Sequence, residues 1–172
     1  TNSSGAEFQD AVAATTVDIS DTENNQLVEF KNNVTATTLT TTANTYNLEM
    51  DEDVSITNDT TFAAIGNLTL GNASDDVATF TGGLDTSAIS GTVTTNGVIR
   101  TAAQQADLGA ITLAANTTLD TTNNGAAATG AALTVGIIAG GNNSLTLNSG
   151  TAGTIVVSGA ISGVATLDIT NS

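Results

Sequence analysis

The sequence predicts an all-β fold, a parallel β-helix (β-solenoid) carrying short capping or inserted helices. Three observations predict it. From Val34 onward the chain breaks into short β-rich runs spaced by Gly, Asn and Asp. It has no Pro, and aromatic residues make up only 3%. And stretches of strand echo one another: Leu68-Thr69-Leu70 is matched 77 positions later by Leu145-Thr146-Leu147, and Thr79–Leu84 by Val156–Ile161. Self-similarity of this kind argues for small stacked units, none of which buries its apolar face alone.

Composition narrows the interior. Of 172 residues, 40% are hydrophobic, enough for a core, yet Trp is absent. A sandwich core needs large rings to fill the gap between its sheets. A narrow interior of Ala, Val, Ile, Leu and Thr suits a solenoid better. The lack of Pro points the same way, because in a continuous ladder nearly every amide donates to a neighbouring coil.

The elements follow in order. Ser4-Gly5-Ala6-Glu7 has the form of a capping box, and Phe8, Ala11 and Val12 fall on one helical face. This predicts a helix over residues 5–14, so residues 1–33 are expected to form an N-terminal cap or arm and residues 34–172 the solenoid. Strands are expected at Val34–Leu39, Tyr46–Met50, Val54–Thr57, Asn67–Leu70, Val77–Thr81, Thr92–Thr95, Ala110–Leu113, Thr117–Asp120, Ala132–Ile138, Ser144–Asn148, Thr154–Ser158 and Ala165–Thr170. A second short helix is expected over residues 102–107, capped by Thr101 and stopped by Gly109. Leu48-Glu49-Met50 before it is similar to Ile111-Thr112-Leu113 after it. Strands about ten residues apart also fit the alternative architecture, a β-sandwich filament subunit that polymerises by donating residues 1–33 as a strand.

Charge excludes several functions. Lys31 and Arg100 face 17 acidic residues, for a net charge of −15. No nucleic-acid partner is expected, since neutralising phosphates needs clustered Lys and Arg. Anionic lipid is excluded similarly, and no apolar run approaches the ~20 residues of a membrane span, so no membrane insertion is expected. The absence of Cys rules out disulfides, and that of His removes the commonest general base and zinc ligand. The chain starts Thr1-Asn2, as expected of a processed protein or a fragment.

Ala43–Leu48, Gly109–Leu119 and Asn143–Gly150, with their alternating Leu, Thr and Asn, resemble repeats of large bacterial surface proteins. These are filamentous-haemagglutinin-like and autotransporter-passenger proteins, with Thr- and Ala-rich surface-layer proteins sharing the texture. The resemblance covers residues 34–172; the capping-box region falls outside it. It implies a right-handed parallel β-helix outside the cell, serving adhesion, filament or envelope architecture. Such proteins are far longer, so the chain is expected to be one segment of a larger protein or a small subunit of an assembly.

Candidate chemistry is sparse. The densest acidic groups, Asp51, Glu52, Asp53 and Asp75, Asp76, sit at strand ends, where carboxylates and carbonyls form Ca²⁺ sites. No calcium-loop motif accompanies them, and solvated turns that keep a rod soluble are the better explanation. Ca²⁺ is the one cofactor they would take; no other is expected. Asp51 with Asp75, or Glu49 with Asp76, has the chemistry of a glycosidase pair, but the aromatic platforms and basic groups of a sugar-cleaving site are missing. Thr-x-Thr patterns at Thr35–Thr37, Thr38–Thr40 and Thr92–Thr94 are ordinary exposed strand chemistry. Gly82-Gly83 and Gly140-Gly141 lack the Lys of a phosphate loop and read as turns. Seven Asn-x-Ser/Thr sequons begin at Asn2, Asn33, Asn58, Asn67, Asn72, Asn116 and Asn142.

No enzyme is expected. The sequence is read as a secreted, cell-surface structural or adhesive protein. Its expected partners are copies of itself, adjacent segments of a larger surface protein, and host or surface glycans. A calcium-dependent or polysaccharide-binding module is the further alternative.

Overall fold

Alternation of apolar and polar residues, repeated at about one coil length, decides the architecture. In the computed structural model, which describes residues 4–20, 22–63 and 65–170, the chain winds into a β-solenoid. The first coil holds β1 (Ala6–Phe8) and β2 (Val12–Ile19), and the second β3 (Leu27–Phe30) and β4 (Val34–Thr41). Then follow β5 (Asn47–Met50), β6 (Val54–Ile56) and β7 (Thr60–Thr61), and next β8 (Leu68–Leu70), β9 (Val77–Phe80) and β10 (Leu84–Asp85). β11 (Val93–Arg100) with β12 (Ala106–Leu108), and β13 (Ile111–Asp120) with β14 (Leu133–Val135), make two further coils. β15 (Ile138–Ala139), β16 (Ser144–Asn148) and β17 (Ile155–Val157) come next, and β18 (Ile161–Ser162) and β19 (Thr166–Thr170) close the stack.

Every strand-to-strand ladder is parallel, each strand pairing with its counterpart one coil away; the exception among the described residues is an isolated antiparallel bridge between Ala102 and Thr122. This excludes the β-sandwich, whose hairpins would be antiparallel. One inward column runs Ala6, Val28, Leu48, Leu68, Val93, Ile111, Ile138, Ile161, which is seven coil-to-coil steps. A second runs Val12, Val34, Val54, Ala78, Ile99, Leu119, Leu147, Ile169. A shorter third face stacks Thr60, Leu84, Ala106, Leu133 and Ile155. Steps in the first column are unequal: Val93 to Ile111 is the shortest and Ile111 to Ile138 the longest, so insertions loop outward while the register holds.

The core is narrow and mostly aliphatic: Leu48, Ile56, Leu68, Leu70, Leu133, Ile138, Leu145 and Leu147 are each 0% exposed. The few rings all lie in the first half of the chain. Phe62 meets Phe80 edge-on at 6.1 Å, and Phe8 stacks on Phe30 at 4.6 Å. β11 and β13 each span two faces, bending at a register shift between Thr95 and Gly97. Gly97 is required there. Its φ is +68°, and a Cβ would stand 2.2 Å from the Asp76 carbonyl oxygen.

Three expectations are corrected. The helix over residues 5–14 is absent. Gly5 has φ +109°, which a helix excludes, and Phe8 and Val12 pack onto Phe30 and Val34 on two successive faces. The residues expected as a separate cap or arm thus carry β1–β3, and β3 pairs with β5 without a break. The helix over residues 102–107 is absent too: Ala103 has φ +52°, the Thr101 hydroxyl closes a tight corner onto the Gln104 carbonyl, and Ala106–Leu108 is a strand. Nor does the echo of Leu68-Thr69-Leu70 in Leu145-Thr146-Leu147 span a whole number of coils. Leu68 lies in the first column, whereas Leu145 stacks on Thr117 on the next face. The similarity of Leu48-Glu49-Met50 to Ile111-Thr112-Leu113 does reflect one shared column.

Candidate functional site

Parallel, in-register stacking repeats outward side chains as faithfully as inward ones. Beside the Val28–Leu48 column, Glu7 faces Glu29, Glu29 faces Glu49, and Glu49 faces Thr69. Neighbouring strands lie ~4.8 Å apart, so like charges are held close. Asp51, two positions beyond Glu49, joins them: carboxylate oxygens of Glu29, Glu49 and Asp51 lie within 4.8 Å of one another.

Lys31 sits on this cluster. Its ammonium donates to Glu29, and to Asp51 at 3.3 Å. The bond to Glu29 is the chief reason its pKa is raised. Glu49 receives no such bond. Partial burial, then the charges of Glu29 and Asp51, push its carboxyl up, and Lys31 offsets only part of this. Three carboxylates within ligand reach have the donor chemistry of a hard-cation site. Here one fixed cation already balances part of their charge.

The remaining acidic candidates do other work. Glu52 and Asp75 are exposed between strands. Asp53 accepts the Val77 amide at 2.8 Å, tying one coil to the next. Asp76, 7% exposed, accepts the Asn72 and Ala73 amides at 2.7 and 2.8 Å and so closes the turn before β9. Of the predicted group, only Asp51 belongs to the three-carboxylate cluster, and Glu49 sits there rather than beside Asp76. Glu29 was missed by looking for acidic runs. The signal was the regular recurrence of Glu7, Glu29 and Glu49, one glutamate per coil at the same register position.

A second carboxylate pair lies on the third face. Asp85 and Asp107 are in register, and with Asp59, Thr61 and Gln105 they line a groove of about 210 Å³. Burial and the charge of Asp85 push the Asp107 carboxyl up.

Asparagines bind corners together. Asn67 donates from Nδ2 to Asn47 Oδ1 at 2.8 Å and accepts the Thr92 amide at 2.9 Å. Asn116 accepts the Ser144 amide, and Asn58 donates to the Thr38 hydroxyl, each at 2.9 Å. Asn33, Asn72 and Asn142 are exposed between strands; the sequon at Asn2 lies outside the described residues. The Thr-x-Thr patterns lie on strands with mixed neighbours: Thr35 stacks between Ala13 and Ser55, and Thr94 between Thr69 and Thr112. Comparison with protein families, curated proteins and solved structures returns no match.

Proposed function

We propose that this chain is a non-catalytic structural segment of an extracellular surface assembly, an adhesin, filament or layer of the kind its repeats resemble. The observation that carries this reading is the unbroken parallel ladder from Ala6 to Thr170. The fold supplies length and stiffness. Its walls supply regular columns of Glu, Thr, Ser and Asn to water and to partners. A negative surface, with Glu7, Glu29 and Glu49 stacked on one face, keeps such rods from clumping side to side.

The test is location on the source cell. Antibody labelling of intact cells, paired with external protease digestion, is expected to reach the protein. A protein that stays protected until the cells are lysed contradicts the reading.

A further inference from the structure

Two asparagines in this chain precede a glycine, Asn96 before Gly97 and Asn124 before Gly125. Such a pair is reactive by itself. With no side chain beside it, the glycine amide nitrogen can close on the carboxamide carbon of the preceding asparagine. The fold treats the two pairs oppositely. Asn96 is 6% exposed, and its Nδ2 donates to the Gly71 carbonyl at 2.8 Å. Gly97 behind it is wedged against the Asp76 turn. Asn124 and Gly125 stand exposed on the outward loop between β13 and β14, and nothing lies within 4 Å of the position a Gly125 Cβ would take. Asn123, Asn124 and Gly125 turn that loop with φ of +52°, +57° and +83°. The turn is held from beneath. Buried Asp120 accepts the Asn124 amide and the Thr122 hydroxyl, each at 2.6 Å, and that hydroxyl accepts the Gly125 amide at 3.0 Å.

We infer that Asn124 is a self-modification site, converting without an enzyme to aspartate and isoaspartate, while the fold keeps Asn96 intact. The Gly125 nitrogen gives its proton to hydroxide and bonds to Asn124 Cγ; the Cγ–Nδ2 bond breaks, and that nitrogen takes up a proton and leaves as ammonia. Water then opens the cyclic imide at one carbonyl to give aspartate or at the other to give isoaspartate. Hydroxide and water are the only co-reactants. At Asn96 the same closure breaks the bond to Gly71, strands a buried carbonyl and displaces the Asp76 turn. At Asn124 only the exposed turn has to open. The Thr122 hydroxyl sets the pace there, because it holds the Gly125 N–H and with it the peptide that must rotate. The product places a new carboxylate beside Asp120 in a chain already at −15, and its isoaspartate form lengthens the main chain by a methylene. Both changes loosen the ties of this loop to the next coil, where the Thr151 and Ala152 amides donate to the Ala128 and Thr129 carbonyls at 3.0 and 2.9 Å.

This goes beyond the structural reading above and does not depend on it. The purified full chain is incubated at pH 9 and at pH 5, and both asparagines are followed by peptide mass spectrometry, with electron-transfer fragmentation separating isoaspartate from aspartate. Asn124 is expected to convert, faster at pH 9, with Asn96 intact for as long as the β circular dichroism persists. In urea the two are expected to convert at similar rates. An Asn124 that survives in the folded chain, or an Asn96 that converts as fast, overturns the proposal. Two variants test the clamp. Thr122→Val frees the Gly125 amide and is expected to speed conversion several-fold, whereas Thr122→Ser keeps the hydroxyl and is expected to match the parent. Equal acceleration in both variants, or in neither, contradicts the role given to the Thr122 hydroxyl. The comparison of Asn124 with Asn96 in the parent chain decides the site itself even if Thr122→Val fails to fold.

Discussion

Glu49 stands directly against Glu29 in the neighbouring coil, held there by a parallel register that pairs Leu48 with Val28 on the inward side. The same hydrophobic column that stabilises the solenoid therefore enforces a like-charge contact on its wall. A shift of one position would separate the glutamates only by turning Leu48 outward.

Glu49 makes the stability of the fold pH-dependent in a definite direction. Its carboxyl is raised in the folded protein by burial and by Glu29 and Asp51. Between the ordinary glutamate value of about 4.3 and the raised one, the folded state binds the proton more tightly, so this group adds stability as pH falls and loses it as pH rises through the raised value. Glu49→Gln removes the repulsion. It is expected to stabilise the protein at pH 7 by about 0.2–1 kcal/mol, the size of a typical cross-strand pair interaction, and to gain nothing below pH 4. Urea unfolding at both pH values checks this.

Lys31 is the counterweight. Lys31→Met removes the cation that bonds Glu29 and Asp51. Its melting temperature at pH 7 and low salt is expected to fall. The deficit should shrink in 0.5 M NaCl, and again on acidification, as the carboxylates are screened or protonated. A deficit unchanged by salt would mean that Lys31 contributes packing rather than charge.

Depth along one column sets the effect of a core deletion. Leu147 and Ile169 are in-register neighbours, yet Leu147 is 0% exposed and Ile169 58%. Leu147→Ala is expected to destabilise by about 2–5 kcal/mol, and Ile169→Ala by less than about 1 kcal/mol. Chemical denaturation of both separates the two cases.

Gly97 turns a corner that no larger residue fits. An alanine must adopt φ +68° with its Cβ 2.2 Å from the Asp76 carbonyl oxygen. The left-handed conformation alone costs about 1–2 kcal/mol, and relieving the clash means moving the Asp76 turn. Gly97→Ala is therefore expected to cost more than that range in denaturant unfolding. Gly125→Ala, with nothing within 4 Å, loses only the conformational part.

Most strands between residues 34 and 170 were legible because alternation there is regular: the strand expected at Ser144–Asn148 is the strand observed, and most others differ only at their ends, whereas the strand Ala106–Leu108 was hidden in a stretch with helical caps and composition. The first coils were not, because Phe8 and Val12 have helical spacing and also the spacing of two inward positions across a solenoid corner. The decisive relation, Phe8 to Phe30 and Val12 to Val34 in the next coil, is non-local. The third face escaped because β7 and β10 are too short to alternate. The carboxylate cluster was hidden for the same non-local reason. Adjacent acidic residues point to opposite faces of a strand, while Glu29 and Glu49, a full coil apart along the chain, meet.

Parallel in-register stacking is tested most directly by paired cysteines in this Cys-free chain. Thr35 and Ser55 are outward register partners, and Thr57 lies two positions farther along. Partners in adjacent strands fall within disulfide reach, at a Cα separation of about 4.4–6.8 Å; an offset of two positions does not. Under mild oxidation the Thr35→Cys/Ser55→Cys protein is expected to cross-link fully while keeping its β circular dichroism, and Thr35→Cys/Thr57→Cys to remain reduced. Efficient cross-linking of the second pair, or none of the first, would contradict the stacked-coil register.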